Sequence, residues 1–292
     1  TIMQLNILNL SKQYSNGVKA LDQVSLQIGK GMFGLLGPNG AGKSSLMRTL
    51  ATLQEADSGQ AYLDNLDILK DKDAVRRILG YLPQEFGVYP RVPALVLLDH
   101  LATLKGYHNK KQRKELVDYL LQKVNLYEHR KKAVSSYSGG MRQRFGIAQC
   151  LIGNPKLVIV DEPTAGLDPG ERNRFYNLLS EIGEETIVIL STHIVQDVRE
   201  LCTNMAILNE GKVIYHGTTG NALSLIQGKV YEKQVEKEQL EQLRSNFSVI
   251  SSKLVAGKPQ VHILADSKPE NGFLPAEGTL EDVYFSKLHQ LI

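Results

Sequence analysis

Apolar and polar residues alternate over residues 3–10 and 21–28. That two-residue period belongs to strands with one buried face, so two strands of an antiparallel sheet are expected there. Other stretches are almost wholly apolar. Met32-Phe33-Gly34-Leu35-Leu36, Leu157-Val158-Ile159-Val160 and residues 186–190 read as strands buried on both faces, as in a parallel sheet. Residues 59–63 and 78–82 are also strand-like, and Pro83-Gln84-Glu85 closes the second. From about 90 to 154 the spacing turns helical. Residues 95–104 are apolar on one side, and Asn109 can cap a helix reaching about Val124, with Leu116, Leu120 and Leu121 as its stripe. Residues 204–209 and 212–217 predict a hairpin around Asn209-Glu210-Gly211. Beyond about Gln227, residues 229–235, 247–254 and 260–265 read as strands and 236–244 as a charged helix. Pro269, Gly272, Pro275 and Gly278 punctuate a loop, and Thr279-Leu280-Glu281-Asp282 opens a last helix like a capping box. The expected class is α/β: a mixed sheet, an antiparallel β subdomain and a helical subdomain over about 87–154, all within residues 1–226, and a small α/β extension over 227–292.

Composition narrows this little. The 292 residues are 42% hydrophobic and 22% charged, ordinary for a globular chain, and the net charge of +3 is too small to argue for nucleic acid. Cys150 and Cys202 lack metal or redox spacing and read as reduced core residues of a cytosolic protein. No secretory signal is recognisable. No segment approaches the ~18 uninterrupted apolar residues of a membrane helix, the best candidate, 92–104, being broken by Asp99 and His100.

The chemistry is concentrated in Gly37-Pro38-Asn39-Gly40-Ala41-Gly42-Lys43-Ser44-Ser45. It fits the phosphate-binding loop G-x-x-x-x-G-K-[ST] at every constrained position, between an apolar strand and a stretch with Leu46 and Leu50 on one helix face. Glycines let successive N–H groups turn inward onto phosphate oxygens, and the following helix points its positive end at the same place. Lys43 adds a charge for the β- and γ-phosphates, and Ser44 a hydroxyl for Mg²⁺. A glycine-rich turn that binds nothing is the alternative.

Further candidates are weaker singly. Tyr14, before the turn at 15–17, can stack on a flat ring or be a half-buried strand residue. Gln84 can reach a metal or water from its strand end, or be a solvated loop residue. Ser138-Gly139-Gly140-Met141 marks a helix start, either an anion site or a plain serine cap. Asp161 and Glu162 end a buried strand, where α/β folds bind ligands; the first suits Mg²⁺ and the second suits activation of an attacking water. Asp168 can cap the next helix. His193 sits at another strand end, where it is structural or touches a γ-phosphate. The basic residues at 110, 111, 113, 114 and 130–132 read as solvated faces or as neighbours of anionic lipid headgroups.

The order and spacing of these signals, over about residues 3–220, resemble the nucleotide-binding domain of ABC (ATP-binding cassette) transporters, which has a P-loop NTPase core. The resemblance implies that Tyr14 stacks on adenine and that residues 37–45 hold ATP. It implies that Gln84 senses Mg²⁺ and the attacking water and faces the permease. Ser44 and Asp161 would bind Mg²⁺, Glu162 would be the catalytic glutamate, and His193 would hold the γ-phosphate. Ser138, Gly139, Gly140 and Met141 match the family signature, which acts on the ATP of a second copy, and Asp168 matches the loop crossing to that copy. Tyr137 and Met141 replace the usual Leu and Gln at the signature's ends. Methionine there is often met in exporters whose permease is a separate chain, and the closing Leu280-Glu281-Asp282-Val283-Tyr284 helix is similar to the ends of drug- and antibiotic-efflux members. The expectation is therefore an ATPase that powers an exporter from the cytoplasmic face of the cell membrane. It would use ATP and Mg²⁺, a head-to-tail second copy and integral membrane permease chains, and no nucleic acid. The alternatives are an importer ATPase and a soluble ABC ATPase acting on DNA or ribosomes. Against the last, only about 94 residues separate the phosphate loop from the signature, and the chain has one cassette.

Overall fold

The computed structural model describes residues 3–87, 90–270 and 272–292; Val88 and Tyr89, inside the expected helical subdomain, lie outside them. The chain forms two compact units, residues 1–202 with 208–213, and residues 203–207 with 214–292.

In the first unit, Lys19–Gly29, Gln4–Gln13, Ser58–Leu63 and Leu66–Asp67 make an antiparallel sheet in that order. The alternation buries Leu5, Ile7 and Leu10, with an irregular register after Ile7, where Asn9 takes a left-handed φ of 48° and resets which face is inward. The all-apolar runs become parallel strands in the order Gly31–Leu36, Ile187–Thr192, Leu157–Asp161 and Leu79–Leu82. Their register matters most for function. Leu36 pairs with Thr192, Asp161 with Ser191 and Leu82 with Val160. The segments leaving all four strands therefore emerge at one sheet edge: the phosphate loop, Pro83-Gln84, Glu162 and His193.

The helical region has Ala94–Leu104, Lys110–Lys123 and Gly139–Cys150. Asn109 caps as expected, its Oδ1 accepting from the N–H of Lys111 (3.0 Å) and Gln112 (3.1 Å). Arg113 departs from the solvated face assigned to it: Nε donates to Asp99 (2.7 Å) and Nη1 to the Tyr107 carbonyl (3.0 Å), tying two helices together. The helix Lys72–Ile78 was not foreseen, because it places only Val75 in the core.

The strands Asn204–Asn209 and Lys212–Thr218 turn at Glu210 (φ 48°) and Gly211 (φ 76°), two successive left-handed residues as a tight hairpin requires. The second unit holds a sheet in the order Ser248–Val255, Lys258–Leu264, Val230–Gln234 and Leu274–Pro275. Its core is Tyr231, Val235, Val261, Ile263 and Phe273, with Phe247 tilted on Phe273 at 5.2 Å between ring centres. The single helix expected over 236–244 is instead a short 3-10 turn, Lys237–Gln239, running into Leu240–Asn246. The last helix, Leu280–Leu288, has its capping box: Thr279 Oγ1 accepts from the Asp282 N–H (3.2 Å) and Asp282 Oδ2 from the Thr279 N–H (2.9 Å).

Candidate active site

Residues 37–45 wrap the start of helix Lys43–Leu50, whose first turn has no capping side chain and so leaves its amides for a ligand. Gly42 stands at φ 105°, and a Cβ there would strike the Ala20 carbonyl; a Cβ on Gly37 would strike the Leu208 carbonyl. Both positions need glycine for the loop to close. Lys43 is buried at 5% exposure, and its Nζ donates to the carbonyls of Gly37 (2.6 Å) and Pro38 (3.2 Å) and lies 3.8 Å from Glu162 Oε1. Burial holds the Lys43 ammonium below its usual range, with Glu162 and Asp161 pulling it back.

Asp161 ends its strand at 4% exposure. Burial pushes its carboxyl above the ordinary range; Glu162 adds to the rise, and Ser191, Ser44 and Lys43 oppose it. Asp161 Oδ1 and the Ser191 hydroxyl are buried with no hydrogen-bond partner. Two orphaned oxygens beside Ser44 fit a hard cation that takes oxygen ligands and keeps waters and phosphate for the rest of its shell. Among the described residues no group of three or more His, Cys, Asp or Glu forms a complete metal cage. Ser191 was not singled out from the sequence, yet it is a polar residue closing an apolar run, in register with Asp161.

Glu162 has a left-handed φ of 45°, held by its N–H donating to the Ser191 carbonyl (2.8 Å). Its carboxylate is the hub of the site. Oε2 accepts from Gln84 Nε2 at 3.3 Å, and Oε1 lies 3.1 Å from His193 Nδ1. Three residues from three strand ends thus meet at one carboxylate, with Lys43 behind it. Tyr14, Val18, Ala20, residues 38–45, Gln84, Glu162, Ala165 and His193 line one cleft of about 550 Å³. The Tyr14 hydroxyl bonds Ser45 Oγ and Gln54 Oε1, each at 2.9 Å, which fixes the ring over the cleft; Gln54 was not foreseen.

The signature residues lie elsewhere. Ser138 Oγ caps helix Gly139–Cys150 by accepting from the Met141 N–H (3.2 Å). Ser138 and Met141 line a different cavity of about 810 Å³, together with Arg144, Glu171 and Arg174. Arg144, missed in the sequence, bridges Glu171 (3.2 Å) and holds the carbonyls of Val124 (3.1 Å) and Asn125 (3.2 Å). Asp168 caps Pro169–Gly183, accepting from the Glu171 N–H (2.9 Å), so one short helix start connects Asp168 to the Arg144 pair. The phosphate-loop cleft and the signature cavity share no lining residue.

Residues 21–165 match the family model described as ABC transporter. The chain is 32% identical to the uncharacterised ABC transporter ATP-binding protein YxlF of Bacillus subtilis, over 98% of this chain and 99% of that one. It is 34% identical to the daunorubicin/doxorubicin resistance ATP-binding protein DrrA of Streptomyces peucetius, over 77% of this chain and 68% of that one. Some relatives are much longer, the chain spanning 29% of one of them. Dimeric structures of the bacterial cassette MJ0796, one in a post-hydrolysis state bound to ADP and Pi, match with a TM-score of 0.66 at 26% identity, over 73% of this chain and 98% of that one. With its phosphate loop, the carboxylate pair at the strand end and a separate signature helix, the chain belongs to the ABC transporter family as an ATP-binding, ATP-hydrolysing cassette.

Proposed function

We propose that this chain powers an exporter as a peripheral subunit at the cytoplasmic face of the membrane, by closing on ATP with a second copy and reopening after hydrolysis. The observation that carries the reading is the division of the machinery between two cavities: Lys43, Gln84, Glu162 and His193 line one, and Ser138 and Met141 the other. A cassette built this way has half of each pocket and needs a twin to supply the rest. The dimeric form of the MJ0796 cassette supports that assembly, and the likeness to DrrA supports the outward direction. Among the described residues no helix is long and apolar enough to cross a membrane; in this reading permease chains supply the path.

In this reading adenine stacks on Tyr14, and the amides of residues 38–44 and the Lys43 ammonium take the β- and γ-phosphates. Phosphate oxygens are stronger acceptors than the carbonyls of Gly37 and Pro38, so Lys43 turns to them. Ser44 and Asp161 would hold Mg²⁺, which would supply positive charge against the phosphates. Glu162 takes a proton from a water whose oxygen bonds the γ-phosphorus as the bond to the β–γ bridging oxygen breaks and ADP leaves. Gln84 and His193 hold that carboxylate in place, and the histidine's second nitrogen is directed to the γ-phosphate. The N-terminus of the partner's signature helix stabilises the same phosphate from the other side.

Glu162→Gln is expected to bind ATP but to hydrolyse it at least ~100-fold more slowly, as loss of a positioned base gives. Lys43→Ala is expected to lose ATP affinity. Equilibrium binding of a fluorescent ATP analogue and phosphate release check both; normal turnover in the first, or unchanged affinity in the second, overturns the assignment. Purification from detergent with an apolar partner chain checks the membrane assembly.

A further inference from the structure

One buried acid stands outside this machinery and bonds three of the segments that carry it. Asp197 is 0% exposed, in the short helix Val195–Leu201 that follows His193. It accepts three hydrogen bonds, all from neutral hydroxyls: Tyr176 at 2.5 Å to Oδ1, and Thr164 at 2.5 Å and Thr192 at 3.1 Å to Oδ2. Thr164 and Thr192 are themselves 0% and 1% exposed. Thr192 also accepts from the Ile194 N–H (2.9 Å), closing the turn around His193.

Each donor belongs to a segment that carries a site residue. Thr164 lies two residues beyond Glu162. Thr192 directly precedes His193. Tyr176 sits on helix Pro169–Gly183, which Asp168 caps. A buried carboxyl group with three such partners fixes the relative positions of all three, because breaking any one bond leaves a buried polar atom unmatched. Geometry at a hydrolytic site is sensitive to this: a shift of about 1 Å in a reacting group can cost ~100-fold in rate.

We propose that Asp197 is a positioning residue for ATP hydrolysis, holding the Glu162 strand end, the His193 turn and the helix behind Asp168 in one register. The proposal rests on the roles given above to Glu162 and His193. It distinguishes a group that sets the rate of the chemical step from one that only stabilises the fold, and the two differ in what they leave intact. Nucleotide binding by residues 38–45 does not run through Asp197, so affinity is expected to survive its replacement while turnover falls.

The test uses the full chain with Asp197→Asn, Thr164→Val and Tyr176→Phe, and Val198→Ala as a control. Val198 is fully buried against Gly34, and its side chain has no hydrogen-bonding atom, so its truncation is expected to lower Tm while leaving the three hydrogen bonds to Asp197 in place. Asp197→Asn is expected to lower kcat about tenfold or more, with ATP affinity within about twofold of the parent. Thr164→Val and Tyr176→Phe are expected to lower kcat by smaller factors, and Tyr176→Phe to add nothing in the Asp197→Asn background, as members of one network do. The control is expected to keep kcat despite a comparable fall in Tm. Unchanged kcat in Thr164→Val and Tyr176→Phe overturns the proposal even where Asp197→Asn does not fold. A loss of kcat that tracks Tm equally in the control also overturns it. Should Glu162→Gln and His193→Ala retain full turnover, it is the assignment of the site that fails; should they lose turnover while the network variants keep it, the positioning role alone fails.

Discussion

At the scale of single residues, the site keeps groups where solvent would not leave them. Asp161 is almost wholly buried, with its carboxyl raised by burial and one oxygen unmatched. A carboxyl whose pKa is higher in the folded chain than in the unfolded one destabilises the fold as pH rises above the ordinary value of 3.8. Asp161→Asn removes that burden, so the variant is expected to melt about 2 °C or more higher at neutral pH. Its advantage should shrink on acidification towards pH 4, and its ATP hydrolysis should be lost. Thermal melts of both chains across pH, beside an ATPase assay, check this; a lower Tm at pH 7 would show that Asp161 is compensated in the chain itself. The residues of the cleft were largely legible in the sequence, because glycine, lysine and carboxylate at strand ends have few other uses. Asp197 and Arg144 were not. Each is a charged residue type on a helix with an ordinary pattern, and only the fold shows that it turns inward to hydroxyls and carbonyls.

At the scale of elements, alternation and apolar runs were enough to find the longer strands of all three sheets, since period and β-branched content are local properties. The helix Lys72–Ile78, the break within 236–246 and the two-residue strand Leu274–Pro275 escaped. They bury one side chain or none, so they leave no periodic trace. Residues at the helix starts were readable because capping is chemistry of single side chains: Asn109, Ser138, Asp168 and Thr279 all cap. What no capping rule shows is that Asp282, besides its box with Thr279, binds His262 Nδ1 at 2.8 Å and so ties the last helix to the sheet of its unit. The Asp282 bond raises the His262 imidazole above 6.5; burial opposes it, Asp282 and Glu232 add their charge, and Lys253 counters. Burial alone would raise Asp282, but His262 and Thr279 outweigh it and hold its carboxyl below 3.8. The signs differ. The His262 contribution is whole below pH 6.5 and is lost as pH climbs through the raised value, while the Asp282 contribution is whole above pH 3.8 and is lost in stronger acid. Amide exchange of residues 280–288, corrected for intrinsic rates, is therefore expected to show weaker protection at pH 8 than at pH 6. His262→Gln is expected to remove that difference. Equal protection at both values in the parent chain would mean that the pair does not hold the helix.

At the scale of the whole molecule, the decisive question is whether one chain completes a pocket. The two cavities have no lining residue in common, and on the proposed reading a triphosphate in the first meets no signature residue of its own chain. In the head-to-tail pair proposed above, each pocket would take Lys43 from one copy and Ser138 to Gly140 from the other. The arrangement has a consequence that no single-chain pocket shares. Lys43→Ala disables the phosphate loop, and Ser138→Arg places a bulky cation where the signature must approach phosphate, so each homodimer has two broken pockets. In a mixed dimer both defects fall in the same pocket, and the other is intact. Equal mixing of the two inactive proteins is expected to restore about a quarter of the parent rate if copies pair at random and pockets act independently. The restored rate should depend on total protein concentration as dimerisation does, and adding in excess a chain carrying both Glu162→Gln and Ser138→Arg, which leaves no intact pocket with either protein, should suppress it by capturing partners. An ATPase assay on the separate and mixed proteins settles the matter, with unmixed activity near zero as the baseline. A mixture no more active than its components, under conditions where the parent chain turns over ATP, would place Lys43 and the signature that serves it within one chain.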